Sequence, residues 1–111
     1  MGFDQYHEPA NELSDEMRTF ARMITSMTEE AEAINSYEQR ISVEKNFDAR
    51  AIMQDAQKEE FKHFGMALEF LLRSKPSWRA ILQGVLFTSA SIVESGDEAE
   101  EAHLSNLRLG N

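Results

Sequence analysis

Cysteine is absent from this 111-residue chain. That absence excludes disulfides and thiolate metal ligands, and it is compatible with the cytoplasm. Proline occurs only twice and glycine five times, so long stretches are free of helix breakers. No run of about 18 apolar residues is present, and no membrane span is expected. The opening residues Met1 to Tyr6 have neither the positive charge nor the apolar core of a secretory signal. Basic residues are also scarce: 11 Lys and Arg stand against 20 Asp and Glu, for a net charge of −9. Nucleic-acid binding needs a basic surface to displace counterions, so that function is not expected. An acidic surface attracts cations instead.

What is present is helical periodicity. Pro9 suits the first turn of a helix, and from there to about Glu44 one apolar stripe runs Leu13, Met17, Phe20, Ile24, Met27, Ala31, Ile34, Tyr37, Ile41. A helix of about 33 residues spans roughly 50 Å, too long for a 111-residue monomer to cover alone. Lys45-Asn46-Phe47 breaks the pattern. Asp48 then reads as the N-cap of a second helix running to about Arg73, with Ile52, Met53, Ala56, Phe64, Ala67, Phe70 and Leu71 as its stripe. The short connection makes the two helices antiparallel neighbours. Ser74-Lys75-Pro76 ends the second helix. Trp78, Ile81, Leu82, Val85 and Leu86 give a short third helix with one rich apolar face, which should dock on another helix pair or another subunit.

Each long helix carries polar residues where its stripe requires apolar ones. Glu60 and His63 leave one face of the second helix a turn apart. Glu30 lies three residues after Met27 and seven before Tyr37, at mid-length of the first helix. Antiparallel pairing sets the helix midpoints opposite each other, so Glu30 should face Glu60 and His63. Charged groups on a burial face are costly without a partner, and a metal ion is one such partner. Glu-x-x-His facing a further Glu is the ligand pattern of ferritin-like di-iron centres, which use a Glu from each of two helices and Glu-x-x-His from each of two more. This chain supplies half that set. Two copies related by a two-fold axis would complete it, with two iron ions shared at the dimer interface. Mixed carboxylate and imidazole ligands suit iron, manganese or zinc, and several carboxylates favour a pair of hard cations. Tyr37 could hydrogen-bond to a ligand. Glu29, Glu32 and Glu59 read as solvated acids by spacing, and the six Met as core filler.

The organisation expected is therefore all-α: an antiparallel two-helix hairpin with a short third helix over 1–88, dimerising into a ferritin-like four-helix bundle. Residues 89–103, rich in small and acidic side chains, read as a flexible acidic linker. Leucines return in 104–111, the layout of a tethered peptide that docks in a partner's groove.

Together these blocks resemble the encapsulated ferritins, short ferritin-like proteins carried inside encapsulin nanocompartments. The matching residues are Glu29-Glu30-Ala31-Glu32-Ala33, Tyr37-Glu38-Gln39-Arg40, Glu59-Glu60-Phe61-Lys62-His63 and Met66-Ala67-Leu68-Glu69-Phe70-Leu71, with His7-Glu8-Pro9 near the start. The resemblance covers about residues 7–88. It implies a ferroxidase that oxidises Fe(II) to Fe(III) with dioxygen at a di-iron centre between subunits, supplying iron for storage inside the shell. It implies Glu30, Glu60 and His63 as iron ligands, Tyr37 as the aromatic beside the centre, and Glu29 and Glu32 as acids on the metal's approach. It further implies a decameric ring of five dimers, which the third helix helps to build, in the lumen of a cytoplasmic encapsulin nanocompartment. Leu104, Leu107, Arg108, Leu109 and Gly110 resemble the family's targeting peptide, so Leu104-Asn111 is expected to bind the encapsulin shell. One departure is Ser36, immediately before Tyr37, where a Trp is expected.

Two other readings use the same residues. A non-catalytic helical cargo module would oligomerise and bind a partner through its tail, but would leave Glu30, Glu60 and His63 buried without a cation. A di-metal oxidase or peroxidase acting on another substrate would use the same ligands. The absence of Cys removes a rubredoxin-like electron donor from the chain.

Overall fold

The computed structural model describes residues 5–108, and among them every regular element is helical. A 3-10 turn at Ala10–Glu12 is followed by α1 (Asp15–Val43), α2 (Phe47–Ser74), α3 (Pro76–Val85) and α4 (Ile92–Arg108). The all-α class read from the sequence is what the chain adopts. Among the described residues no helix is long and apolar enough to cross a membrane.

The boundaries follow from local chemistry. The first long helix begins not at Pro9 but at Asp15, because Leu13 is extended and Ser14 caps the helix, its side chain accepting from the Met17 amide at 3.1 Å. Asp15 and Glu16 in the first turn favour the positive end of the helix dipole. Arg18 Nε donates to the Ala10 carbonyl at 2.9 Å and ties the preceding 3-10 turn to α1. At the α1–α2 turn Glu44 accepts from the Asn46 amide at 3.0 Å. Asn46, rather than Asp48, caps α2, its Oδ1 accepting from the Ala49 amide at 2.9 Å. Asp48 lies inside the first turn, where its charge is still favourable. Helix α2 ends at Ser74, and Pro76 occupies the start of α3, where its missing N–H costs nothing.

Two units divide the chain, residues 1–71 and 72–111. In the first, α1 and α2 lie side by side, and at 29 residues α1 is about 44 Å long. Ile41, Ala67 and Leu71 are buried, but the expected stripes are only partly covered. Met17, Ala31, Ile52 and Phe70 are exposed, so each helix presents a second apolar side that its partner in the hairpin does not reach.

The second unit departs most from the sequence reading. Residues 89–103, expected as a flexible acidic linker, mostly belong to α4, which packs on α3 within the same chain. A domain boundary at residue 88 is therefore replaced by a helical pair. Ser91 precedes α4, its Oγ accepting from the Glu94 amide at 3.3 Å in a Ser-x-x-Glu arrangement. Ser95 and Ala99 are buried, and Gly84 of α3 meets α4 so closely that a Cβ there would lie 2.6 Å from the Ala99 Cβ. Small residues thus let the two backbones approach while the acids of α4 face water. Of the expected targeting segment, Leu104 to Arg108 continue α4, while Leu109, Gly110 and Asn111 lie outside the described residues.

Candidate metal centre

Glu30 stands at the middle of α1, and Glu60 and His63 stand one turn apart on α2. The antiparallel hairpin brings the three together. His63 Nδ1 lies 3.7 Å from Glu30 Oε2 and 3.9 Å from Glu60 Oε1. One ligand atom from each residue falls within 4.8 Å of the others. These separations are too long for direct hydrogen bonds. They leave room for an ion at metal–ligand distances of about 2.0–2.2 Å.

The electrostatics also call for a cation. Glu30 Oε2 is buried with no hydrogen-bond partner, a costly state for a carboxylate oxygen. The Glu30 carboxyl is held above its ordinary range, first by hydrogen bonding with the Glu60 carboxyl, then by burial and by the Glu60 charge. A bound cation would offset the Glu60 charge beside Glu30 and use the orphaned oxygen. Two carboxylates and an imidazole, with no sulfur, suit iron or another borderline-to-hard ion, so the donor set fits.

The three residues differ in cover. The Glu30 and Glu60 side chains are 24% and 23% exposed, whereas His63 is 46% exposed. His63 lies on the uncovered side of α2 with Ile52, Met66 and Phe70, which are 70%, 62% and 45% exposed. Beside it opens a groove of about 360 Å³ whose walls include Met23, Met66, Ala67 and Phe70, with Glu30 and His63 at its polar end. The three residues therefore sit at the edge of an apolar surface that the hairpin leaves open.

A family profile described as EncFtn-like matches residues 5–89. The chain belongs to the EncFtn-like family. The match takes in the 3-10 turn and α1 to α3, and it ends before α4. Among curated proteins, the chain is 41% identical over 95 residues to a ferritin-like protein of Thermotoga maritima, covering 86% of this chain and 83% of that one. It is 36% identical over 97 residues to an encapsulated ferritin-like protein of Rhodospirillum rubrum, covering 86% and 69%. A crystal structure of a protein from Nitrosomonas europaea, 40% identical, superposes with a TM-score of 0.77 over 80% of this chain and 98% of that one. A ferritin-like, iron-related protein is thus the class to which this EncFtn-like chain is tied.

The other singled-out residues lie outside the trio. Glu29 and Glu32 are exposed on α1, flanking Glu30. Tyr37 is half-buried two turns along α1, with the Arg40 guanidinium 5.5 Å from its ring centre. Glu59, read as a surface acid, pairs with Lys62 at 2.9 Å, and that pairing lowers its pKa. The sequence reading overlooked Gln57, which is buried at 7% exposure. Its signal was available: it precedes Glu60 by three residues and so shares the face that interrupts the stripe.

Proposed function

We propose that this EncFtn-like chain is a ferroxidase whose di-iron centre is shared between two copies, each giving Glu30, Glu60 and His63. The observation that carries this reading is the buried, partnerless Glu30 Oε2 facing His63 and Glu60 at the rim of an open apolar surface. A second copy seated on Ile52, Met66 and Phe70 would cover that surface and bring the same three ligands from the opposite side. In this reading the long α1 and α2 of two chains form the four-helix bundle.

Fe(II) is the substrate and dioxygen the electron acceptor. Each Fe(II) gives up one electron, and the ions leave as Fe(III). The chain's residues make the site suitable for that change. The Glu30 and Glu60 carboxylates would offset the added positive charge, and the His63 imidazole would add a nitrogen donor. Glu29 and Glu32 would draw Fe(II) along an acidic approach. Tyr37 would be the aromatic beside the centre. Oxidised iron would be stored within an encapsulin shell, to which the segment from Leu104 would bind. Leu104 and Leu107 are exposed on α4.

The test is anaerobic loading with two Fe(II) per dimer and mixing with air-saturated buffer. Oxygen uptake and Fe(III) absorbance should rise rapidly in the native protein and fall to the uncatalysed rate in Glu60→Ala and His63→Ala. Equal rates in all three would refute the reading.

A further inference from the structure

Gln57 is a buried polar residue in the α1–α2 seam, 7% exposed, and it is neither a candidate ligand nor a cap. Its Nε2 donates both hydrogens to α1: one to the Ile34 carbonyl at 3.2 Å and one to Glu38 Oε1 at 2.9 Å. Ile34 lies one turn beyond Glu30 on α1, and Gln57 lies one turn before Glu60 on α2. The hydrogen-bonded link therefore sits about one helical turn, roughly 5–6 Å, from the candidate ligands.

We propose that Gln57 is a positioning residue: its buried amide fixes the register of α2 on α1 that brings Glu60 and His63 to Glu30. This inference rests on the reading of those three residues as a metal centre. The physical reason lies in directionality. Apolar contacts along the seam are non-directional and tolerate small slides. An amide that must reach one main-chain carbonyl and one carboxylate does not, because hydrogen bonds weaken steeply outside a narrow range of distance and angle. A slip of one residue moves a ligand about 1.5 Å along the axis and turns it about 100°. Such a slip would take His63 away from Glu30. A buried amide adds little net stability over an apolar side chain of similar size, and setting register is the best-attested use of such groups.

Replacement strands no partner, which makes the inference testable. Ile34 is interior to α1, so its carbonyl keeps its helical acceptor role, and Glu38 is exposed to water. The full chain carrying Gln57→Met should keep its far-UV helical signal. Its affinity for Co(II), used as a visible-absorbing probe, should fall about tenfold, and the Co(II) absorption bands should shift as the ligands move. Gln57→Glu matches glutamine in size, but once ionised it cannot donate to the Ile34 carbonyl and faces the Glu38 carboxylate, so it should show the same two changes above the pH at which it ionises. Wild-type affinity and an unchanged Co(II) spectrum in both variants would overturn the proposal, whatever happens to their melting temperatures. Loss of the helical fold in both would also overturn it, since Gln57 would then serve stability rather than position. Native protein and Glu60→Ala are titrated alongside. Should these two bind Co(II) equally, the metal centre itself fails, an outcome distinct from failure of the Gln57 role.

Discussion

The two helical pairs of this chain solve the same packing problem in opposite ways. In α3–α4, Gly84, Ser95 and Ala99 remove side-chain volume from the seam, and the backbones approach closely. In α1–α2, Glu30, Gln57, Glu60 and His63 occupy the seam or its rim, and an oxygen of Glu30 is buried without a partner. The first arrangement buries small residues, and Ile92, Val93 and Leu107 of α4 stay exposed beside it. The second leaves a carboxylate oxygen without a hydrogen bond and, next to it, an open apolar surface of Ile52, Met66 and Phe70. A helix pair whose charges and apolar face are both incomplete in the same place is organised for something beyond itself, which the proposed function takes to be a cation and a second copy.

That contrast can be broken at either pair. The largest effect should come from the ligands. Glu60→Ala or His63→Ala should lower metal affinity by at least about 100-fold, measured by calorimetric titration, with little change in the unfolding of the apo protein. Next is Gly84→Ala, whose new methyl collides with Ala99. Overpacking of this kind costs about 1–3 kcal/mol, enough to outweigh the helical gain of alanine of about 1 kcal/mol. Denaturant unfolding should show that loss while metal affinity stays at its native value.

A smaller effect concerns pH. The folded-state pKa of Glu30 is raised above its ordinary 4.5, chiefly by its hydrogen bond with Glu60. Its contribution to apo stability is therefore fully present below that value and is lost as pH rises through the folded pKa. Unfolding of the apo protein followed across this window should show the decline, and Glu30→Gln should flatten it. The smallest effect is Gly65→Ala on α2, where a Cβ meets nothing within 4 Å. It should stabilise by about 0.5–1 kcal/mol, the opposite sign to Gly84→Ala for the same chemical change.

The site was more legible in the sequence than the second helical pair was. Glu30, Glu60 and His63 could be found because each breaks a long apolar stripe, and because a three-residue turn forces antiparallel pairing. Helix ends were less legible, since Ser14 and Asn46 compete as caps with Pro9 and Asp48, and only the hydrogen bonds decide. Helix α4 was misread because acid-rich, leucine-poor composition resembles a self-repelling linker. Its helical signals were subtler: Ser91-x-x-Glu94 at the start, and Ser95 and Ala99 four apart, facing a glycine on α3. A seam built from small residues has no apolar stripe to read. Gln57 was passed over although it shares the face of Glu60, because glutamine carries no charge that burial would make costly, and its place in the seam shows only in its 7% exposure.

The central claim is that the site is half of a shared one, and native mass spectrometry of the full chain tests it most directly. Spectra taken without metal and after anaerobic Fe(II) addition should show association strengthened by iron, with two ions per pair of chains. Single chains each holding an ion without association, or dimers that take up no iron, would contradict it.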